Sequence, residues 1–207
     1  MRARLTVSGV SRTAAACASH ATAQLRLVAA AAVVATLACA AATSARANDA
    51  TAGSLLAPSG ACAGADDPRA AQTTQEKAIV CLVNWARRKA ARRALATAPK
   101  LERASTLKGR VVVSCGQLSH SPCGKDPAAS VKAAGYRYAW SGENLWFGTW
   151  GAFSARQVVE SWLASPGHRD NILRPAFRHF GVARVRARGV FGEDSTAVWV
   201  ATFASPR

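Results

Sequence analysis

Four cysteines, Cys62, Cys81, Cys115 and Cys123, follow a segment that reads as an export leader, and this combination constrains the chain more than any other feature. The leader is basic (Arg2, Arg4, Arg12, Arg26), and its run Leu27 to Ala38, LVAAAAVVATLA, is uncharged and mostly apolar. Small residues follow, then Ala45-Arg46-Ala47, an A-x-A site for a signal peptidase. That run is shorter than the ~20 residues that cross a bilayer, so cleavage is expected rather than retention as an anchor. A lipid-anchored alternative at Cys39 lacks its usual Leu, since Thr36 stands there. An even number of cysteines in an exported chain reads as two disulfides. Three pairings are open. Cys115 and Cys123 share the short segment CGQLSHSPC, where a small loop could close, which leaves Cys62 to tie to Cys81. The rival, a zinc site of thiolates with His120, needs reduced cysteines, which export opposes.

Residues 1–47 are thus read as a signal peptide, 48–73 as a flexible N-terminal arm tethered by Cys62, and 74–207 as one folded domain. The 160 residues after the leader are enough for a real core. Five of the 27 basic residues (Arg2, Arg4, Arg12, Arg26, Arg46) and none of the 11 acidic ones fall in the leader, leaving a net +11. Arg87-Arg88-Lys89, Arg92-Arg93 and Arg184, Arg186, Arg188 carry much of this charge. It favours an anionic cell-wall or membrane surface non-specifically, and a solvated face is its plainer use. No aromatic ladder interleaves these clusters, so no specific nucleic acid is expected. A monomer is expected.

From Thr74 a helical pattern begins: Ile79, Leu82, Val83 and Ala86 recur at helical spacing, with the basic residues from Arg87 on the solvent side. Pro99 to Val113 predicts a second helix, with Leu101, Ala104, Leu107 and Val111 on one face. Residues 115–127 read as loop, and Ala128 to Ala134 as a short helix stopped by Gly135. A short strand is expected around Tyr138 to Leu145. The stripe Val158, Val159, Trp162, Leu163 predicts a helix over Ala155 to Ala164, broken by Pro166-Gly167. Two β-rich runs, Phe180 to Arg186 and Ala197 to Phe203, pair antiparallel most economically. Helices first and strands last point to an α+β chain.

Histidines are scarce beyond the leader: His120 lies in the cysteine loop, His168 follows Ser-Pro-Gly, and His179 precedes the first terminal strand. Glu143 sits in an aromatic stretch (AWSGENLWF), where a lone buried charge would be costly. Glu160 lies ~130° from the middle of its helix's apolar stripe, facing solvent or a groove. Two imidazoles and two carboxylates can bind a divalent metal, do acid/base work, or form a structural network. No H-E-x-x-H is present, and spacing alone favours the structural network.

Four blocks change that weighting: Leu118-Ser119-His120-Ser121, Gly142-Glu143-Asn144-Leu145, Val158 to Leu163 (VVESWL) and Ser165 to Leu173 (SPGHRDNIL). In order and spacing they resemble the signature blocks of the CAP family, the cysteine-rich secretory, antigen 5 and pathogenesis-related 1 proteins, in its bacterial secreted SCP-like form. Cys81-Leu82-Val83-Asn84 and Phe180-Gly181-Val182-Ala183 add weaker matches, and the resemblance covers roughly 76–205. Trp85, in place of a usual Glu, and Leu118, in place of a common aromatic, depart from it. The resemblance implies an α-β-α sandwich, with a small antiparallel sheet between helices and a cleft holding a tetrad: His120, Glu143, Glu160 and His168. It implies His120 and His168 as ligands of a divalent cation (Zn). Read from the residues alone, Asn144 and Asn171 support the cleft or cap loops, and Arg169 binds an anion beside His168 or is simply solvated.

Family members are variously linked to sterol or lipid binding, defence and signalling. The expected function is therefore non-enzymatic, extracellular binding of a divalent cation or a small or lipidic ligand. A metal-dependent or His/Glu hydrolase and a basic wall- or polyanion-binding module are the alternatives. Ser119, Ser121 and Ser161 read as structural. Trp140, Trp146, Phe147, Trp150 and Phe153 read mostly as core and sheet cover.

Overall fold

Along Thr196–Pro206, residues Ala197, Trp199, Ala201 and Phe203 alternate with Val198, Val200, Thr202 and Ala204, and both sets are buried. Successive strand residues point to opposite faces, so a strand buried on both must have a packed layer on each side. A computed structural model describing residues 51–207 shows that arrangement. The leader and its cleavage site lie outside the described residues.

The last strand, β4 (Thr196–Pro206), pairs antiparallel with β3 (His179–Ala187) and with β2 (Tyr138–Thr149). A two-residue strand, β1 (Ala96–Thr97), runs parallel to β3, giving the order β1-β3-β4-β2. On one face lie helices α2 (Gln72–Lys89), α5 (Ala155–Ala164) and α6 (Pro166–Leu173). There Ile79, Leu82, Val158, Trp162, Phe180, Trp199 and Phe203 form the main core. On the other face α3 (Pro99–Cys115) packs Leu101 and Ala104 near Ala204, and Val112 against Val198 and Val200. The short α4 (Ala129–Ala133) extends that layer, and Gly135, at φ 71°, ends its turn in the left-handed region. Gly181 lets α3 sit this close, because a Cβ there would lie 2.1 Å from the Leu101 carbonyl carbon. The chain is thus an α+β sandwich of two helical layers around a small sheet.

The disulfides Cys62–Cys81 and Cys115–Cys123 both form. Other expectations need correction. The described part of the N-terminal arm is packed, not loose: it carries α1 (Ala52–Leu55) and buries Leu55, Ala57, Cys62 and Ala65. Arg156 of α5 holds it through the carbonyls of Ala57 and Pro58 and the carboxylate of Asp66.

Strand β2 runs on to Thr149, because its partner β4 supplies hydrogen-bonded positions as far as Thr196. Pro166-Gly167 ends α5 but also starts α6. Proline has no amide hydrogen to lose in a first turn, so it opens a helix as readily as it stops one. On α3 the buried stripe is Leu101, Ala104, Ser105, Lys108 and Val112 rather than Leu107 and Val111. The bare Gly109 admits the Val185 side chain there; a Cβ would meet it at 2.6 Å.

Two arginines of the basic clusters are interior residues. Arg87 is fully buried, its Nε donating to the Arg93 carbonyl at 2.7 Å and its Nη1 to the Ile172 carbonyl at 2.6 Å. Arg184 is only 2 % exposed. Both face acceptors or aromatic rings contributed by distant segments, which no local charge pattern reveals.

Candidate functional site

His120 stands in the loop between α3 and α4, and three contacts pin that loop. The Cys115–Cys123 bond closes it, Gln117 Oε1 accepts from the Cys123 amide at 2.8 Å, and Lys108 Nζ donates to the His120 carbonyl at 2.5 Å. The His120 imidazole meets Glu143 of β2, Nδ1 to Oε1 at 2.9 Å. Lys108 Nζ reaches the same carboxylate oxygen at 3.1 Å. A buried ammonium, a mostly buried carboxylate and an exposed imidazole therefore form one ion-paired cluster.

Sequence reasoning missed Lys108. The expected stripe of Leu107 and Val111 put Lys108 off the buried face of α3, and only the fold shows it facing Glu143.

Side chains alternate along β2, so Glu143 faces α3 while Gly142 and Asn144 face α6. Buried Asn144 donates through Nδ2 to the His168 carbonyl at 3.0 Å. Asn171 Nδ2 donates to the Glu143 carbonyl at 3.1 Å and to Asn144 Oδ1 at 3.0 Å. These amides clip the helix carrying His168 to the strand carrying Glu143. Gly142 leaves room for the clip, since a Cβ would lie 2.7 Å from Asn171 Oδ1. A cleft of about 300 Å³ opens beside the cluster, lined by His120, Glu143, Asp126, Val131, Asn171 and Thr202.

The four tetrad candidates are not all gathered at this cleft. His168, in the first turn of α6, lies outside its lining. It is near enough to His120 for that charge to act on it: burial, and then the His120 charge, hold His168 below the usual imidazole value. His168 is therefore neutral at neutral pH. Glu160 is exposed on α5, with no hydrogen bond or ion pair among the described residues. Arg169, next to His168 in sequence, is half-buried and makes no side-chain hydrogen bond among the described residues. His179 opens β3 and hydrogen-bonds the Tyr136 hydroxyl through Nδ1 at 2.5 Å.

Among the described residues no three His, Cys, Asp or Glu side chains converge as a ready metal site. The donor chemistry does suit a loosely held cation. A carboxylate accepting from Nδ1–H fixes the imidazole tautomer and leaves Nε2 with its lone pair, and a neutral His168 offers another nitrogen. Neither Ser119 nor Ser161 hydrogen-bonds a histidine or a carboxylate among the described residues. Ser119 Oγ accepts from the Ser121 amide at 3.0 Å, and Ser161 Oγ donates to the Gln157 carbonyl at 2.9 Å.

A helical layer on each face of a small sheet, with a His/Glu cleft where an inter-helix loop meets the edge strand, defines a CAP-type domain. Residues 80–203, more than half of the chain, match the model of CAP, the cysteine-rich secretory protein family, and the protein belongs to it. A curated relative, the uncharacterized protein YkwD of Bacillus subtilis (strain 168), is 31 % identical over 120 residues. That match covers 58 % of this chain and 46 % of the relative, so the chain spans under half of that protein's length.

An extracellular protein containing a SCP domain from Bacillus anthracis superposes with a TM-score of 0.54 at 18 % identity, covering 65 % of this chain and 41 % of that one. An outer surface protein of Borrelia burgdorferi gives 0.52 at 18 %, covering 60 % and 87 %. A cysteine-rich secretory protein of Staphylococcus aureus gives 0.52 at 16 %, covering 67 % and 40 %. At these identities the structures establish the shared fold, and the protein is a bacterial CAP domain of SCP-like type.

Proposed function

We propose that this CAP domain is an exported, non-enzymatic binding module, whose cleft takes a divalent cation through His120 and His168. The observation that carries the reading is the His120 Nδ1–Glu143 Oε1 contact of 2.9 Å. It commits Nδ1 to the carboxylate and leaves Nε2 as a ligand, the usual relation between a metal-binding imidazole and the acid behind it. A bound zinc ion would supply a Lewis-acidic anchor for a small polar or lipidic ligand. The leader of the sequence, and relatives described as extracellular or outer surface proteins, support export.

Calorimetric titration of zinc into wild type, His120→Ala and His168→Ala tests the reading. Each single replacement should remove most of the affinity, and Glu143→Gln should lower it ~10–100-fold, as for an acid that orients a ligand. Equal affinity in all of these proteins ends the metal reading.

A further inference from the structure

A second polar site lies on another part of the fold, around Arg184 in the middle of β3. Arg184 stands directly opposite Trp199 of β4, and both point into the face covered by α2 and α5. Its guanidinium carbon lies 3.9 Å from the Trp150 ring centroid and 5.0 Å from that of Trp199. The side chain is 2 % exposed, yet neither Nε nor Nη2 has a hydrogen-bond partner. Those two nitrogens share one edge of the guanidinium plane, the edge that grips two oxygens side by side. The opposing Trp199 Nε1 is also buried and unpartnered. Two guanidinium nitrogens and the neighbouring indole nitrogen are thus buried without a hydrogen-bond partner, where buried donors are paired as a rule.

No carboxylate among the described residues forms an ion pair with the guanidinium, although the Glu76 charge acts on it from farther off. Glu76 is the nearby acid, but its Oε1 accepts from the Arg184 backbone amide at 2.8 Å and from Gln72 Nε2 at 2.9 Å, and it forms no ion pair with the guanidinium. Arg186 adds a second cation over Trp150, at 5.0 Å. Arg184 forms part of the wall of a cavity of about 610 Å³, together with Arg69, Gln72, Trp150 and the small residues of the loop before α2. The N-terminus of α2, an 18-residue helix, opens onto the same space, and no side chain caps it. Aligned peptide dipoles add partial positive charge there.

We infer that this cavity is a binding site for an oxyanion, a carboxylate or phosphate group of a small ligand, held by the Arg184 guanidinium in its wall, whose buried unpartnered edge turns to the ligand, with Arg69 at the rim. The stacked tryptophans hold the guanidinium plane in place, and Pro68, Ala70 and Ala152 give the rest of the ligand an apolar wall. The site is separate from the His120–Glu143 cleft and independent of its reading.

The test follows the Nε–H resonance of Arg184 by nitrogen-15 NMR while inorganic phosphate, or acetate, replaces chloride at constant ionic strength. A saturable shift with phosphate is expected; in Arg184→Lys, which keeps the charge and loses the fork, the binding read instead on the neighbouring Trp199 Nε1–H resonance should weaken at least tenfold. Arg69→Ala, an exposed position that leaves the core intact, should weaken it severalfold. A shift with phosphate alone identifies a phosphate site, and a shift with both anions identifies a carboxylate-tolerant one. A resonance indifferent to both anions overturns the inference and leaves Arg184 as a stacked structural cation.

Discussion

Arg87 carries its charge into the interior with backbone carbonyls as its acceptors. Its two buried bonds to Arg93 and Ile172, and a longer one to Arg174 at 3.2 Å, tie the end of α2 to the end of α6. Burial, and then the charges of Arg178 and Arg92, push its pKa down to about 10, so it remains protonated at neutral pH. Arg87→Ala should destabilise the fold by about 3 kcal/mol or more, since each orphaned buried acceptor costs ~1–3 kcal/mol and a cavity is added. Urea unfolding should show the lower midpoint at an unchanged slope. Lys108 permits a sharper test of the cleft. Its ammonium lies 3.1 Å from the carboxylate that orients His120, so it opposes a cation bound nearby. If His120 ligates zinc, Lys108→Met should raise zinc affinity about tenfold or more while lowering stability. An unchanged or weaker affinity in a folded Lys108→Met protein would separate the cluster from cation binding.

The α3–α4 loop and the N-terminal arm each depend on one disulfide and one polar clamp. Removing the Cys115–Cys123 bond with paired serine replacements should cost about 2–3 kcal/mol from loop entropy. Because that loop carries His120, zinc affinity should fall further than stability does, and calorimetry on the folded variant reads the difference. For the arm, the hydrogen bond from Arg156, and then the Gly60 amide, lower Asp66 to about 2 from 3.8. A depressed carboxylate contributes stability above its unfolded value and loses it as pH falls towards its folded value. Asp66→Asn should therefore be less stable than wild type at neutral pH, and the gap should close between about pH 4 and pH 2. Asp66 is partly exposed, so solvent screening keeps this gap small. Where an element's pattern lay within its own segment, it was legible in the sequence. Helix α5 spans Ala155–Ala164 as its apolar stripe requires, and a Ser154–Gln157 capping box starts it. The start of α6 was not legible, because Pro-Gly ends one helix and opens the next with equal ease.

At the scale of the molecule, burial of Arg87 and Arg184 moves two charges off the surface and leaves Arg88, Arg93, Arg186 and Arg188 exposed. No helix among the described residues is long and apolar enough to cross a membrane. The export reading makes a prediction for the whole product: intact mass should place the mature N-terminus at Asn48, with no thiol alkylated until reductant is added. A retained leader, or two alkylated cysteines without reductant, would count against it. The sequence by itself determined the family, through four blocks of short-range residues, along with the helix and strand patterns and the pairing of cysteines close along the chain. The tertiary structure alone decided where the lone charges go. Lys108 needed Glu143 across the sheet edge, Arg87 needed a carbonyl 85 residues away, and Arg184 needed two tryptophans from other segments. A charge can be buried only where distant backbone and side chains supply its acceptors or rings, and no local window of sequence contains them.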